Sequence, residues 1–173
     1  MSEASYSINY AAIAYASGKS MLDVFQTSSG TNSVNVYQCL FFNNGTASVT
    51  GVLTTLEVQR HIAASSGTTV TPIKFNSASA SPAAAITGGT NRTTTTQDTF
   101  RRLVWSNDEP AVSGASMDEW ELQVSNATIW STLGDSRIEP LTCRSGQNEG
   151  IQIKHTGTSA VGSADAEIIF TIT

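Results

Sequence analysis

Apolar and polar residues alternate with a period of two over most of this chain, and turn residues break the alternation at short intervals. That combination predicts an all-β domain. Residues 20–25 read as a short strand ended by Thr27-Ser28-Ser29-Gly30, and residues 33–42 as the next one. Asn43-Asn44-Gly45-Thr46 is the strongest turn, because Asn-Gly supplies the positive φ angles of a tight hairpin. A long strand over 48–62 puts Leu56, Val58 and Arg60 on one face and Glu57, Gln59 and His61 on the other. Residues 69–75 form a strand in which Pro72 marks an edge or a bulge. Further strands are predicted over 99–105, 119–124, 127–131, 138–143, 150–155 and 164–172. Nine or ten strands, so spaced, predict an antiparallel β-sandwich of jelly-roll type.

Two segments break the pattern. In residues 1–18, Tyr6, Ile8 and Tyr10 alternate with polar neighbours, yet Ile13 and Tyr15 place apolar groups on the opposite face. This fits an extended N-terminal arm that pairs with another chain's sheet edge, or an ordinary first strand of the same sandwich. The domain boundaries are set accordingly, with an arm over 1–18 and a β-sandwich over 19–173. The second segment, 76–97, is a Ser/Ala/Thr-rich connection with almost no core-forming residues. Connections of that kind are functional arms or linkers, and this one is expected to order against a neighbouring subunit. The residues expected to touch a partner are therefore Tyr6, Ile8, Tyr10, Ile13 and Tyr15 of the arm, with Pro82, Ile86 and Arg92 of the loop.

Length and composition narrow the classes. A chain of 173 residues suits one domain with its own core. Charged residues make up only 13%, about half the usual share, and Ser and Thr supply about a quarter of the chain. A surface of short hydroxyls is cheap to desolvate and loses little side-chain entropy when another protein covers it. It is equally what a solvated β-surface carries, since Thr favours strands. The net charge of −5 and the lack of basic clusters beyond Arg101-Arg102 argue against nucleic-acid binding. No run approaches the roughly 20 apolar residues of a membrane span, and no export signal is evident, so synthesis and folding in a cytoplasm are expected. Cys39 and Cys143 are then expected reduced and buried in strands, with a disulfide between them as the alternative.

The search for chemistry yields little. Glu57 and His61 share a strand face about 13 Å apart, too far to act together. No nucleophile elbow or phosphate loop occurs, and the cysteines sit in apolar patterns. Asp108, Glu109, Asp118, Glu119 and Glu121 form an acidic cluster without the spacing of a calcium loop; they read as solvated carboxylates, with Trp120 packed inward. Asn44, Asn91 and Asn126 open glycosylation triplets of the sort that a Ser/Thr-rich chain produces by chance. Trp105, Trp120 and Trp130 are sugar-stacking candidates or, more commonly, core residues. The chain is expected to have no enzymatic activity, no cofactor and no metal.

Two stretches carry a family resemblance. One is Gly51-Val-Leu-Thr-Thr-Leu-Glu-Val-Gln-Arg60, with Ser66-Gly-Thr-Thr-Val-Thr-Pro-Ile-Lys74 and the Ser/Ala/Pro run after it. The other is Glu139-Pro-Leu-Thr-Cys-Arg144, Gly146-Gln-Asn-Glu-Gly-Ile-Gln-Ile-Lys-His-Thr156 and the terminal Glu167-Ile-Ile-Phe-Thr-Ile172. Over about half the chain this resembles virion proteins of tailed bacteriophages, in particular head decoration or cement proteins. The resemblance implies a β-sandwich on the outer face of the capsid, often a trimer, that locks neighbouring major capsid proteins together. A tail, fibre or baseplate component and a carbohydrate-binding sandwich, or glycosidase of that fold, are the alternatives.

Overall fold

The computed structural model describes residues 4–43, 52–107, 128–133, 137–157 and 163–173. Two antiparallel sheets pack face to face. In chain order the strands are β1 (Ala4–Ala14), β2 (Ser20–Gln26), β3 (Val34–Asn43), β4 (Val52–Ser65), β5 (Thr68–Val70) and β6 (Ile73–Lys74). Then come β7 (Ile86–Thr90), β8 (Thr93–Asn107), β9 (Thr128–Ser131), β10 (Leu141–Cys143), β11 (Glu149–His155) and β12 (Ser163–Ile172). The first sheet runs β10-β3-β12-β1-β6, with β9 also on β3; the second runs β5-β7-β2-β11-β4-β8.

The pairings nest. β1 pairs with β12, β2 with β11, β3 with β9 and β10, and β4 with β8. Successive strands of this rolled hairpin alternate between sheets, and the cross-pairs β3–β12 and β4–β11 close the roll. This is the jelly roll, the double Greek key of antiparallel sandwiches. Strands β5, β6 and β7 are an insertion between β4 and β8 that widens both sheets on one side.

Period-two patterning explains where each strand lies. β12 alternates buried and half-buried residues along most of its length, with Ile168 and Phe170 facing the core. Phe170 stacks on Tyr6 with ring centroids 5.5 Å apart, and Phe41 and Ile8 pack in the same cluster. From the second sheet, Leu22, Val24, Val58, Ile151 and Ile153 complete the core.

Residues 4–14 are an interior strand of the chain's own first sheet, so a boundary at residue 18 with an arm before it gives way to one continuous sandwich. The apolar residues on both faces have a local cause. The register with β12 shifts between Tyr10 and Ile13, and Ala12 takes a φ of 55°. This bulge reverses the inward parity, so even positions Tyr6 and Ile8 face the core before it and odd positions Ile13 and Tyr15 after it.

The 76–97 segment is also part of the domain. Residues 86–90 form β7, between β5 and β2, and β8 begins at Thr93. The remaining loop is tied down: the Lys74 ammonium donates to the carbonyls of Ser77 and Ser79, and the Tyr6 hydroxyl to that of Ala80. The strand expected over 69–75 divides at Thr71-Pro72, passing from the second sheet at Val70 to the first at Ile73. Proline there removes a ladder donor at the crossing. The strand expected over 119–124 lies outside the described residues.

Phe170→Ala is expected to destabilise the domain by about 3–5 kcal/mol, the usual cost of emptying a packed aromatic site. Val104→Ser, at a residue 64% exposed, should stay within about 0.5 kcal/mol. Urea midpoints at constant slope distinguish the two.

Candidate functional site

The outer face of the second sheet carries a buried polar layer. Pairing sets Asp23 on β2 opposite Gly89 on one side and Gln152 on the other. One rung along, Phe25 faces Gly150, which in turn faces His61 on β4. The glycines make room for long side chains to lie flat across the sheet. A Cβ at Gly89 would sit 1.9 Å from Arg92 Nε, and one at Gly150 would sit 2.2 Å from His61 Nε2. Glycine inside a strand marks this kind of close approach.

Arg92 and His61 converge on Asp23 over these two gaps. Arg92 Nη1 lies 3.4 Å from Asp23 Oδ1, while its Nη2 donates to the Gly88 carbonyl at 2.7 Å. His61 Nε2 lies 3.4 Å from Asp23 Oδ2, and its ring stacks on Phe25 at 5.2 Å. His61 Nδ1 is 3.2 Å from the Ala63 carbonyl. Asp23 and His61 have no exposed surface, and Arg92 keeps 8%.

The layer continues toward β8 as amides and hydroxyls. The Gln152 amide donates to Gln59 Oε1, as does the Thr96 hydroxyl, and the Lys154 ammonium donates to Thr96. The Gln59 amide in turn donates to the Glu57 carboxylate, which Arg102 approaches to 3.4 Å.

Burial sets the electrostatics. It pushes the Asp23 carboxyl up to about 7, against the opposing charge and hydrogen bond of Arg92. It pushes His61 down to about 4; Arg92 and Lys154 add to the depression and the Ala63 carbonyl opposes it. Sealed from solvent on this scale, the Arg92–Asp23–His61 cluster clamps β2, β7 and β4 together and offers no surface to a substrate. Its parts were not linked in the sequence. Spacing within the strand sets His61 only against Glu57, and nothing along the chain links it to Asp23 or Arg92.

The other expected site residues are scattered. Tyr6, Ile8, Ile13 and Tyr15 are buried in the chain's own core, which corrects their assignment to a partner contact. Tyr10 remains 39% exposed. Pro82 and Ile86 line a groove of about 290 Å³ with Val70, Pro72 and Ala84, though Ile86 itself is buried. Arg92 belongs to the cluster just described. Cys39 and Cys143 are free and buried, and burial lifts both thiols to about 12. Trp130 packs against Phe100. Asn91 sits at the β7–β8 turn with a φ of 53°. The acidic residues 108–121, Trp120 and the triplets at Asn44 and Asn126 lie outside the described residues, and the side chain of Trp105 does too. Among the described residues no group of three or more His, Cys, Asp or Glu side chains is placed to hold a metal.

The outer face of the first sheet differs in kind. Its register rows read Ile73–Ser7–Ile169–Gln38 and, next to that, Ser5–Thr171–Asn35–Thr142, with Phe75 bonded through its N–H to the Ser5 carbonyl. Ile73 is 54% and Phe75 61% exposed. Leu40 and Phe42 alternate with the buried Cys39 and Phe41 and are half-buried on this face. The carboxylates here are already engaged, Glu167 by the Ser7 hydroxyl at 2.6 Å and Asp165 by the Ala12 N–H at 2.8 Å. Lys74 is the sole Lys or Arg in these strands, and it is bound to loop carbonyls.

Fold and surfaces together define a jelly-roll β-sandwich with a sealed polar clamp on one sheet and, on the other, a face of hydroxyls, amides and apolar groups whose carboxylates are hydrogen-bonded. Comparison with family models, curated proteins and solved structures gives no match to this chain.

Gly89→Ala and Gly150→Ala are each expected to displace a clamp side chain and cost about 1–3 kcal/mol, read as a lower urea midpoint. The two thiols should resist alkylation in the native protein and both react once it is unfolded. Mass spectrometry of iodoacetamide-treated samples measures this directly.

Proposed function

We propose that this chain is a viral structural protein that decorates a capsid and cements it by bridging neighbouring major capsid proteins. The observation that carries the reading is the outer face of the first sheet. Ile73 and Phe75 stand exposed beside a broad strip of hydroxyls and amides whose carboxylates are already bonded. Desolvating such a strip costs little outside Glu167 and Asp165, because short side chains lose little entropy, Ser7 and Thr171 are already buried, and each carboxylate has a donor in place. An apolar ridge beside it supplies the favourable area. The occupant of this face is the capsid surface, and the same contact repeated by symmetry turns modest single affinities into firm attachment.

The jelly roll supports the reading only as a scaffold, since it serves capsid, lectin and enzyme families alike. The sealing of Asp23 and His61 supports it further, because a catalytic pair must reach its substrate. A carbohydrate-binding role, or a place in a tail or fibre, draws less support: Trp130 is engaged with Phe100, and the groove at Pro82 is lined by aliphatic and hydroxyl residues with Lys74, whose ammonium is bonded to loop carbonyls.

Empty heads of the encoding virus, stripped of this protein, provide the probe. The wild-type chain should rebind them to saturation in a co-sedimentation assay. A variant with Ile73→Asp and Phe75→Asp should bind at least about tenfold more weakly with its urea midpoint nearly unchanged. Equal binding by wild type and variant, or failure of the wild type to bind heads at all, overturns the proposal.

A further inference from the structure

The clamp contains a proton whose position is dictated by geometry. His61 Nδ1 faces the Ala63 carbonyl, an acceptor, so Nδ1 carries a hydrogen. Nε2 of the same ring then presents its lone pair to Asp23 Oδ2 at 3.4 Å, in a space from which both side chains exclude solvent. His61 Nε2 has no hydrogen-bond donor of its own, and Asp23 is approached only by the Arg92 guanidinium, 3.4 Å from Oδ1, and by the Gly89 N–H. Two acceptors facing each other in a dry site repel, and one proton between them converts the contact to attraction. We infer that Asp23 and His61 share a single proton across this gap, and that the sharing keeps the clamp's contribution to folding nearly constant from acid to neutral pH.

The charged groups near the pair are few. Arg92 reaches in from the β7–β8 connection, Lys154 lies on β11 and Glu57 on β4. Glu57 is bonded to Gln59 and approached by Arg102, so it is not free to act as a second counter-ion. From the end of the first sheet Cys143 stays a neutral thiol, and Glu149 is paired with Arg144.

The linkage can be followed with its signs. Asp23 is raised in the fold from 3.8 to about 7, so alone its contribution is full below 3.8 and lost as pH rises toward 7. His61 is lowered from 6.5 to about 4, so alone its contribution is full above 6.5 and lost as pH falls toward 4. Between those limits the unfolded chain holds one proton, on the histidine. The folded chain also holds one, between the two groups. Equal proton counts mean no slope, so the opposing trends cancel as a property of the pair.

Removing either partner should expose the other's uncompensated titration. Asp23→Asn is expected to lose folding stability relative to wild type as pH drops from about 6.5 to 4. His61→Gln should lose it relative to wild type as pH rises from about 4 to 7. Each change should be at least about tenfold in the unfolding equilibrium constant. The Asp23→Asn/His61→Gln double variant should be less stable than wild type, yet its pH profile should run parallel to it. Urea titrations at half-unit pH steps give all four profiles. The imidazole ¹⁵N shifts of wild-type protein give an independent readout, with His61 expected neutral and Nδ1-protonated at pH 5.5. A fully protonated His61 at that pH, or single-variant profiles parallel to wild type, overturns the inference.

Discussion

Pairing of β1 with β12 joins the two ends of the chain along nine residue pairs, and every other long-range pairing of the roll nests inside it. Until that outer pair forms, Tyr6, Ile8, Ile168 and Phe170 have no common surface to bury. The dependence runs in both directions. β12 also pairs with β3 through most of its length, so the last strand holds the first against the third. Nearly all stabilising contacts are therefore remote in sequence, and loop closure must be largely complete before they form. The insertion β5–β7 depends on this frame as well, because β6 rests on β1 and β7 rests on β2.

Most of this architecture was legible in the sequence. Alternation located β2, β3, β4, β11 and β12 within a few residues, and the jelly-roll expectation follows once the turns are placed. The failures share a physical origin. In β1 the bulge at Ala12 reverses side-chain parity, so a buried strand reads as apolar on both faces and mimics an arm. In β7 two consecutive glycines erase the alternation that would betray a strand. Both glycines are required there, Gly88 to admit the Ile8 methyls from across the sandwich and Gly89 to admit Arg92. A pattern that depends on Cβ direction cannot register a residue chosen for having none.

The candidate site was less legible, for a reason that concerns sheet geometry. Asp23, His61 and Arg92 are separated by 38 and 31 residues along the chain and meet only because β2, β11 and β4 are lateral neighbours. Spacing within a strand separates Glu57 from His61 but says nothing about what lies beside them. A further signal was present in Gly150, on a strand otherwise rich in large residues, and it becomes informative only once its partner is known to be His61. Tyr6, Ile8 and Ile13 mislead in the opposite sense: their apolar character shows in the sequence, but the facing sheet that covers them does not.

Under the proposed docking role, the two sheets divide the work. Attachment favours a face with few charges and short side chains, and such a face contributes little to the stability of the isolated fold. The second sheet supplies what the first omits. Its outer layer pins the insertion through Arg92, whose carbonyl accepts from the Ser20 N–H while its guanidinium reaches Asp23 and Gly88. Because Ile73 and Phe75 belong to that same insertion, the clamp also fixes the ridge from which docking is proposed. A buried ion cluster is an expensive way to hold a loop. It is defensible where the loop must keep one position through changes in its surroundings, and a clamp whose proton count is unchanged by folding meets that requirement.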